Sequence, residues 1–399
     1  MLNQEVYDKV VAEFAAKFGA APATVAYAPG RIEVLGNHTD YNEGFVFSAA
    51  IDRGTFFAAS KADDDKVTLV ALDMGETYET TLGAVAPVKA GETWANYPLG
   101  TFNWLFDGKP AAAGTGFKAV FAGNIPLGAG LSSSAALEMA TVLALAALYG
   151  VEKDRTALAK IGQKAEHTYA GCPCGLLDQA ASSLGGAITI DFADEKAPQV
   201  ERLELDLAGF GYALCIVDSG ADHADLTDEY AAIPGELKRI SAHFGKTHLR
   251  EVPEADFYAA LPELRKEAGD RAVLRAIHIY EENRRVTEQV AALKRGDFDR
   301  FLELVKASGR SSWMYLQNVI PAGYTAHQDL AVALALAEKL LNGEGACRVH
   351  GGGFAGTIQA FVPLGQLDAF RAGMDAVLGE GSCHVLSIRS AGGILLEEL

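Results

Sequence analysis

Apolar residues along this chain recur at two different spacings, and the spacing predicts where helices and strands lie. At the amino terminus they recur at helical spacing, which predicts an amphipathic helix over residues 3–18. Further helices are predicted at 132–148, 154–169, 175–184, 226–245, 256–266, 270–294, 297–309, 325–342 and 366–378. Strands are predicted at 25–37, 45–59, 117–125, 187–192 and 212–217, and strand-like sequence closes the chain at 383–397. Antiparallel strands are predicted within 65–82, and two strands joined by a glycine turn within 348–363. Because helices and strands do not alternate strictly, the order predicts an α+β fold rather than a doubly wound sheet.

The length of the chain and one charge-rich segment predict the domain organisation. A chain of 399 residues is long enough for two or three domains of roughly 100–200 residues each. The charge-rich stretch at 193–201 is the best candidate boundary. It divides the chain into an amino-terminal domain over 1–195 and a carboxy-terminal domain over 196–399.

The charge and the apolar content of the chain argue against some classes of binding partner. With 34 Lys and Arg against 52 Asp and Glu, the formal net charge is −18, and so acidic a chain binds nucleic acid or anionic membrane poorly. The longest apolar run, 139–151, is shorter than the roughly 20 residues that span a bilayer, and the first residues do not form a signal peptide. We therefore expect a cytoplasmic protein without a membrane or nucleic-acid partner, as a monomer or weak homo-oligomer.

The cysteines form an odd and sparse set, which predicts reduced thiols rather than a disulfide framework. They are Cys172, Cys174, Cys215, Cys347 and Cys383. Cys172 and Cys174 flank a proline, and we expect them to be small packing residues rather than nucleophiles or metal ligands.

A glycine turn followed by three serines lies between a predicted strand and a predicted helix, over residues 126–136. Glycines let the backbone approach a ligand closely, and the start of a helix presents free N–H groups and the positive end of its dipole. This arrangement favours an anion site. It is not a Walker P-loop, because no Gly-Lys-Ser/Thr follows. An ordinary serine N-cap is the alternative.

Two further stretches contain candidate functional residues. Asn37, His38, Asp40 and Tyr41 crowd the end of a strand, where short donors and acceptors suit a polyhydroxylated ligand; a polar turn capped by Asp40 is the alternative. Three consecutive glycines at 351–353 indicate either close approach of the backbone to another group or a tight hairpin.

Taken together and in this order, the three stretches APGRIEVLGNHTDYNEG, PLGAGLSSSAALEMA and GGGFAG strongly resemble the three motifs of the GHMP small-molecule kinases. The GNHTDY element resembles the galactokinase signature. The resemblance runs from about residue 25 to the carboxy terminus. It implies an amino-terminal α+β domain joined to a ferredoxin-like carboxy-terminal domain, with the active site in the cleft between them. It also implies ATP, Mg²⁺ and phosphorylation of the anomeric hydroxyl of D-galactose.

The resemblance also implies a role for individual residues. Asp178 would face the anomeric hydroxyl, as an orienting group or as a base, with Arg31 as its partner. The residues expected to bind the sugar are Asn37, His38, Asp40, Gly175 and Tyr230. Those expected to bind the nucleotide are Gly128, Gly130, Leu131, Ser132, Ser133, Ser134 and Trp94. Ser134 and Glu166 would hold Mg²⁺, and the loop at 351–356 would close over phosphates and sugar. A helix-capping Asp178 and a solvated Glu166 are the alternatives.

Two positions depart from the galactokinase pattern. Galactokinases typically carry Asn where Glu33 stands and an acid where Asn37 stands. If residues 31–37 form a strand, positions 33 and 37 share a face but lie roughly 13 Å apart, so Glu33 is not expected to replace the acid. The segment 318–323 also lacks the acidic pattern common in the family.

Three functions remain open on the sequence. Galactokinase activity is the leading one. The same reaction on a sugar changed at carbon 6, such as galacturonate or arabinose, would suit Asn37, because an amide loses the negative charge of the acid. A sugar and ATP sensor without catalysis is the third. The intact set of Arg31, Ser134, Glu166 and Asp178 argues against the sensor.

Overall fold

The computed structural model describes residues 2–126, 128–172, 174–194, 197–221 and 226–396. Its strands are β1 Thr24–Leu35, β2 Phe45–Lys61, β3 Lys66–Ala71, β4 Glu76–Thr81, β5 Phe117–Gly123, β6 Ala187–Asp191, β7 Gln199–Leu203, β8 Tyr212–Asp218, β9 Ala346–Val349, β10 Thr357–Pro363, β11 Cys383–Leu386 and β12 Ile394–Leu395. The predicted domain boundary between residues 195 and 196 lies outside the described residues, so the division stays a prediction.

The helices in the described ranges lie on predicted segments, except α2, which was not predicted. They are α1 Gln4–Phe18, α2 Asn96–Leu105, α3 Ser133–Tyr149, α4 Arg155–Ala165, α5 Leu177–Leu184, α6 Thr227–His243, α7 Glu254–Ala259, α8 Leu261–Glu267, α9 Asp270–Lys294, α10 Phe298–Ser311, α11 Asp329–Leu341 and α12 Leu367–Leu378. The predicted helix at 256–266 is two helices, because Pro262 stands in the first turn of α8 and favours a helix start. None of the helices in the described ranges has the length and apolar character needed to cross a bilayer.

The first sheet contains eight strands within the described ranges. Six follow the order β12-β1-β2-β5-β3-β4, while β6 pairs with β2 and β7 pairs with β6. The β3–β5 pair is parallel and the other pairs are antiparallel. Helix α1 covers one face and α2–α5 cover the other. As a result β1 is almost wholly buried, and its polar residues must find partners inside the protein.

The second sheet has the antiparallel order β11-β8-β10-β9. In chain order this is 4-1-3-2, with α12 between β10 and β11, which confirms the predicted ferredoxin-like arrangement. Helices α11 and α12 pack on one face. On the other face, Phe301 and Phe361 share a core with Val34 and Phe47 of the first sheet. This common core fixes the carboxyl end of β1 against the second sheet.

The chain returns to the first sheet at its carboxy-terminal end, where the sequence predicts strand-like structure over 383–397. Two short strands form there: β11 joins the second sheet and β12 pairs with β1. The connection passes closely over α5, and Gly393 N donates to Ser182 O at 2.9 Å. A Cβ on Gly392 would overlap the backbone of Ser183.

We expect Gly392→Ala to lower the free energy of unfolding by about 1–3 kcal/mol, because the added methyl group overpacks the junction between α5 and the returning chain. Urea unfolding measures the change. Gly365→Ala is the matched control, since nothing lies within 4 Å of a Cβ built there. Equal stability of the two variants would contradict the close packing of this junction.

Candidate active site

An ion pair between Arg31 and Asp178 lies at the centre of the candidate site. Arg31 lies in β1, and Asp178 lies in the first turn of α5, where the helix dipole favours a carboxylate. Arg31 Nε donates to Asp178 Oδ1 at 2.7 Å and Nη2 donates to Oδ2 at 2.8 Å, the bidentate geometry that makes such pairs strong. The Asp178 side chain is 24% exposed, so a ligand can still reach it.

The predicted anion loop has the conformation that such a site needs. Gly128 and Gly130 have φ angles of 75° and 65°, which glycine adopts without steric cost. Ser132 has a φ of 57°, which is uncommon for a residue with a side chain. Helix α3 begins directly after the loop, at Ser133. Because the first N–H groups of a helix have no intrahelical partner, the loop and the helix start together present donors to an anion.

Arg31 and Ser132 hold this loop next to Asp178. Arg31 Nη1 donates to Gly130 O at 2.7 Å, and its backbone N donates to Leu131 O at 3.1 Å. Ser132 Oγ donates to Asp178 Oδ2 at 2.5 Å and makes no capping bond to α3, so a side-chain N-cap is not observed. Three donors occupy the carboxylate, which leaves Oδ1 a lone pair for a further donor.

Ser134 and Glu166 offer the oxygen ligands that the resemblance assigns to Mg²⁺. Ser134 Oγ donates to Glu166 Oε1 at 3.1 Å, so both oxygens face the same space at the start of α3. Burial, and then the negative charge of Asp178, raise the pKa of Glu166. A bound cation would offset both effects by favouring the carboxylate. This donor set therefore fits Mg²⁺, which prefers hard oxygen ligands.

The polar turn after β1 meets the segment that leads into α5. A Cβ on Gly175 would overlap Asp40 Oδ2, so a side chain at position 175 would displace the Asp40 carboxyl group. His38 Nε2 lies 3.0 Å from Gly352 O and Nδ1 lies 2.6 Å from Tyr41 Oη. Because a carbonyl only accepts, Nε2 carries the proton and Tyr41 donates to Nδ1. Burial lowers the pKa of His38 to about 4, so this imidazole is neutral at physiological pH.

The glycine-rich loop is held by donors from three different elements. Asn37 Nδ2, Asn318 Nδ2 and Tyr230 Oη donate to the carbonyls of residues 351, 352 and 353 at 2.6, 3.1 and 2.7 Å. Asn37 follows β1 and Tyr230 lies in α6. The loop is thus fixed against the polar turn, and the second sheet contributes to the same cleft as the first.

The predicted separation of Glu33 and Asn37 is wrong. Asn37 Nδ2 donates to Glu33 Oε1 at 3.2 Å. The pairing register shifts after Glu33, β1 ends at Leu35, and Gly36 has a φ of 108°, so the chain turns and brings the two side chains together. Arg348 Nη2 also donates to Glu33 Oε1, at 3.1 Å, and its side chain is fully buried. Glu33 therefore pairs with a cation of the second sheet.

His350 connects the two sheets at the anion loop, and the sequence analysis gave it no role. Its Nε2 accepts from Glu33 N at 3.1 Å, so the proton lies on Nδ1, 3.2 Å from Thr357 Oγ1. Thr357 Oγ1 donates in turn to Ala129 O at 3.0 Å. The polar residues beside the glycine run were the available signal for this connection.

Glu138 and Gln179 were also missed, and they lie behind Glu166. Gln179 Nε2 donates to Glu138 Oε2 at 2.9 Å and to Glu166 Oε2 at 2.7 Å. Glu138 is the single charged residue in α3, whose other residues are mostly apolar. A lone acid in so apolar a helix is the sequence signal for a buried polar contact.

Trp94 and Cys174 have contacts that the sequence did not indicate. The Trp94 ring packs on Phe121 with centroids 5.6 Å apart, and its Nε1 donates to Glu76; its contact with a nucleotide stays a prediction. Cys174 Sγ donates to Glu166 Oε2 at 3.5 Å, so this cysteine does more than fill space. Cys172 is exposed.

Two family models match parts of the chain. The GHMP kinases N terminal domain matches residues 96–186, and the galactokinase galactose-binding signature matches residues 12–61. The first match includes the anion loop, Glu166 and Asp178. The second includes Arg31 and the polar turn.

Similar proteins match nearly the whole chain. The galactokinase of Actinobacillus pleuropneumoniae serotype 5b is 32% identical over 360 residues, which is 90% of each chain. That of Haemophilus influenzae is 33% identical over 350 residues, 88% of each chain. The crystal structure of Lactococcus lactis galactokinase complexed with galactose superposes with a TM-score of 0.81 at 30% identity, covering 98% of this chain and 99% of that chain. A mevalonate kinase from Methanococcus jannaschii shares the fold, with a TM-score of 0.65 at 16% identity, 92% of this chain and 99% of that chain being covered. The chain therefore belongs to the galactokinase family of GHMP kinases.

Proposed function

We propose that this protein transfers the γ-phosphoryl group of ATP to the anomeric hydroxyl of D-galactose. The observation that carries the proposal is the contact between the anion loop and Asp178, since Ser132 Oγ lies 2.5 Å from Asp178 Oδ2. Phosphoryl transfer through a loose, highly charged transition state depends mainly on positioning and charge neutralisation. The anion loop offers hydrogen-bond donors to a triphosphate, and Asp178 offers an acceptor to a hydroxyl. The reaction requires these two groups to lie side by side, as they do here.

Asp178 would accept a hydrogen bond from the anomeric hydroxyl through the remaining lone pair of Oδ1. Its two hydrogen bonds with Arg31 hold the carboxylate in one position, which suits an orienting group. Arg31 also brings a permanent positive charge to the edge of the anion loop, where negative charge develops during transfer. We assign orientation of the nucleophile to Asp178 and charge stabilisation to Arg31.

The remaining site residues take the roles that the family resemblance implies. Residues 128–134 would bind the phosphates, with Trp94 on the nucleotide. Ser134 and Glu166 would hold Mg²⁺, which neutralises phosphate charge when it is bound. His38, Asp40, Gly175 and Tyr230 would surround the sugar, while Asn37 would hold the glycine-rich loop beside it. Because ATP is made inside the cell, we place the activity in the cytoplasm, where a monomer or weak homo-oligomer suffices.

A second candidate substrate is a sugar changed at carbon 6, such as galacturonate or arabinose. The observation that favours it is that both polar atoms of the Asn37 side chain already have hydrogen-bond partners within the protein. Its Nδ2 donates to Glu33 and to the carbonyl of Gly351, and its Oδ1 accepts from Asn318 Nδ2 at 2.9 Å and Ser312 Oγ at 3.4 Å. This side chain is 1% exposed and has no hydrogen-bonding group left for a sugar hydroxyl.

Asp178→Asn is expected to lower kcat on galactose by about 10²-fold, because the amide can no longer accept both hydrogen bonds from Arg31 and the sugar hydroxyl is no longer held in place. A coupled assay of ADP release measures the effect. Asp270→Asn is a matched control, since Asp270 also lies in the first turn of a helix and accepts from an arginine Nε at 2.7 Å. Similar losses in the two variants, or ADP release independent of sugar in the parent, would reject the proposed reaction.

Exchanging Glu33 and Asn37, the two residues that differ from the galactokinase pattern, tests how the sugar pocket selects its substrate. Asn37→Glu alone places a second carboxylate against Glu33, and we expect the free energy of unfolding to fall by about 1–3 kcal/mol. Adding Glu33→Asn removes one acid and should restore most of that loss. The parent should prefer galactose over galacturonate and over L-arabinose, which lacks carbon 6. A parent that prefers either of these sugars, with the preference reversed in the exchanged variant, would establish the second candidate.

The pKa of Asp40 predicts how its removal changes stability with pH. Burial, with Glu33 and Asp178 adding negative charge nearby, raises this pKa to about 6, above the value of about 3.9 in an unfolded chain. The unfolded state therefore releases the proton first, and the folded protein loses stability as the pH rises from about 4 to 6. We expect Asp40→Asn to be more stable than the parent at pH 7.5 but not at pH 4.

Urea unfolding at both pH values measures this difference, and the exposed Asp63 provides the control. Asp63→Asn should change stability equally little at the two pH values. A stability difference for Asp40→Asn that does not grow between pH 4 and pH 7.5 would contradict the assignment of a raised pKa to Asp40.

A further inference from the structure

A buried amide lies directly behind the two proposed Mg²⁺ ligands. Gln179 is the third residue of α5 and is 0% exposed. Its Nε2 uses both hydrogens, one toward Glu138 Oε2 at 2.9 Å and one toward Glu166 Oε2 at 2.7 Å. One side chain thus joins a carboxylate of α3 to the carboxylate proposed to hold the metal.

The contacts of Glu166 divide between its two oxygens. Oε1 faces Ser134 Oγ at 3.1 Å, whereas Oε2 accepts from Gln179 Nε2 and from Cys174 Sγ at 3.5 Å. A carboxylate on a long side chain can rotate, and rotation here would turn Oε1 away from Ser134. The donors on Oε2 oppose that rotation.

Only one orientation of the Gln179 amide fits this position. With oxygen and nitrogen exchanged, the amide oxygen would stand between two carboxylate oxygens, with no donor among them. Glu138 Oε2 accepts from the amide when Glu138 is a carboxylate, and also when a proton is carried on Oε1, so both of these forms hold the same orientation. Gly162 in α4 adds a steric limit, because a Cβ there would lie 3.1 Å from both Gln179 Cγ and Glu138 Oε2.

The arrangement is poor for stability alone. Gln179 Oε1 and Glu138 Oε1 are buried and have no hydrogen-bond partner. Leaving such atoms unpaired costs about 1–3 kcal/mol each, which an apolar pair of similar size would avoid. The presence of Gln179 and Glu138 despite these unpaired oxygens therefore needs an explanation other than packing.

We propose that Gln179 is a positioning residue for Glu166, whose Oε2 it holds so that Oε1 faces Ser134, while Glu138 keeps the amide in the required orientation. The inference rests on the proposed function, because that function assigns Mg²⁺ to Glu166. Asp178 and Gln179 are adjacent in α5, so one helix places the group that faces the sugar and the group that orients the metal ligand.

The test compares Gln179→Met with the parent. Methionine keeps the length of the side chain but cannot donate, so Glu166 is free to rotate. Loss of a residue that orients a metal ligand typically weakens metal binding by about 10–100-fold. We expect a loss in this range in the Mn²⁺ affinity of the enzyme in the presence of ADP, measured by electron paramagnetic resonance. The Mg²⁺ concentration for half-maximal rate should rise similarly, with the KM for galactose within about 2-fold.

Two further variants separate positioning from packing. Gln289→Met is the matched control, because Gln289 is also 0% exposed, has an unpaired Oε1 and donates through Nε2 to a single carbonyl; its Mn²⁺ affinity should equal that of the parent. Glu138→Gln keeps an acceptor for Gln179 and should retain Mn²⁺ affinity within about 3-fold, whereas Glu138→Leu should lose it.

Each outcome decides the proposal. Parental Mn²⁺ affinity in Gln179→Met, or equal losses in Gln179→Met and Gln289→Met, would overturn it. If Gln179→Met does not fold, the pair Glu138→Gln and Glu138→Leu gives the same comparison, and equal affinities in that pair would overturn the proposal. Failure of the parent to phosphorylate galactose, with Mn²⁺ binding still weakened in Gln179→Met, would reject the substrate and leave the positioning role intact.

Discussion

The ion pair between Arg31 and Asp178 is the contact on which the rest of the site depends. Arg31 is buried and permanently charged, and a buried cation is tolerated only when it is paired and hydrogen-bonded. Its guanidinium satisfies this need with Asp178 on α5 and the carbonyl of Gly130 on the anion loop. The requirement that no charge be left unpaired therefore fixes three segments relative to one another. Those segments carry the N–H groups proposed to bind the phosphates and the carboxylate proposed to accept a hydrogen bond from the sugar hydroxyl.

A second set of buried polar contacts joins the two sheets at the end of β1. Arg348 and His350, on the second sheet and the loop after it, contact the side chain and the backbone of Glu33. Asn37 belongs to the same set of contacts, because its Nδ2 donates to the carbonyl of Gly351. Since the apolar core shared by both sheets lies beside these contacts, the glycine-rich loop is placed by packed elements rather than by a flexible hinge. Such fixed placement of reacting groups supplies much of the rate enhancement of kinases.

Periodicity and motifs predicted most of the fold but not α2 or β7, and they misplaced Glu33 and Asn37, where a single backbone angle decided the outcome. A regular strand with a rise of about 3.3 Å per residue would place Glu33 and Asn37 far apart. The positive φ of Gly36 brings them into contact instead. No pattern of apolar residues encodes that turn. The motifs indicated Asp178 and Glu166 but not Gln179, because the function of a buried amide depends on neighbours from distant parts of the chain. Glu138 could have been singled out as the lone acid of an apolar helix.

Several carboxyl groups in or beside the site lie where burial disfavours their ionised form. Burial raises the pKa of Glu33, Asp40, Glu138 and Glu166, so each of these carboxylates is less stable when ionised than it would be in water. A divalent cation at Glu166 and sugar hydroxyls at Asp40 would supply positive charge and donors. Ligand binding would then relieve a cost already present in the folded protein, and little reorganisation would remain for the transfer step. This is the physical meaning of preorganisation in an active site.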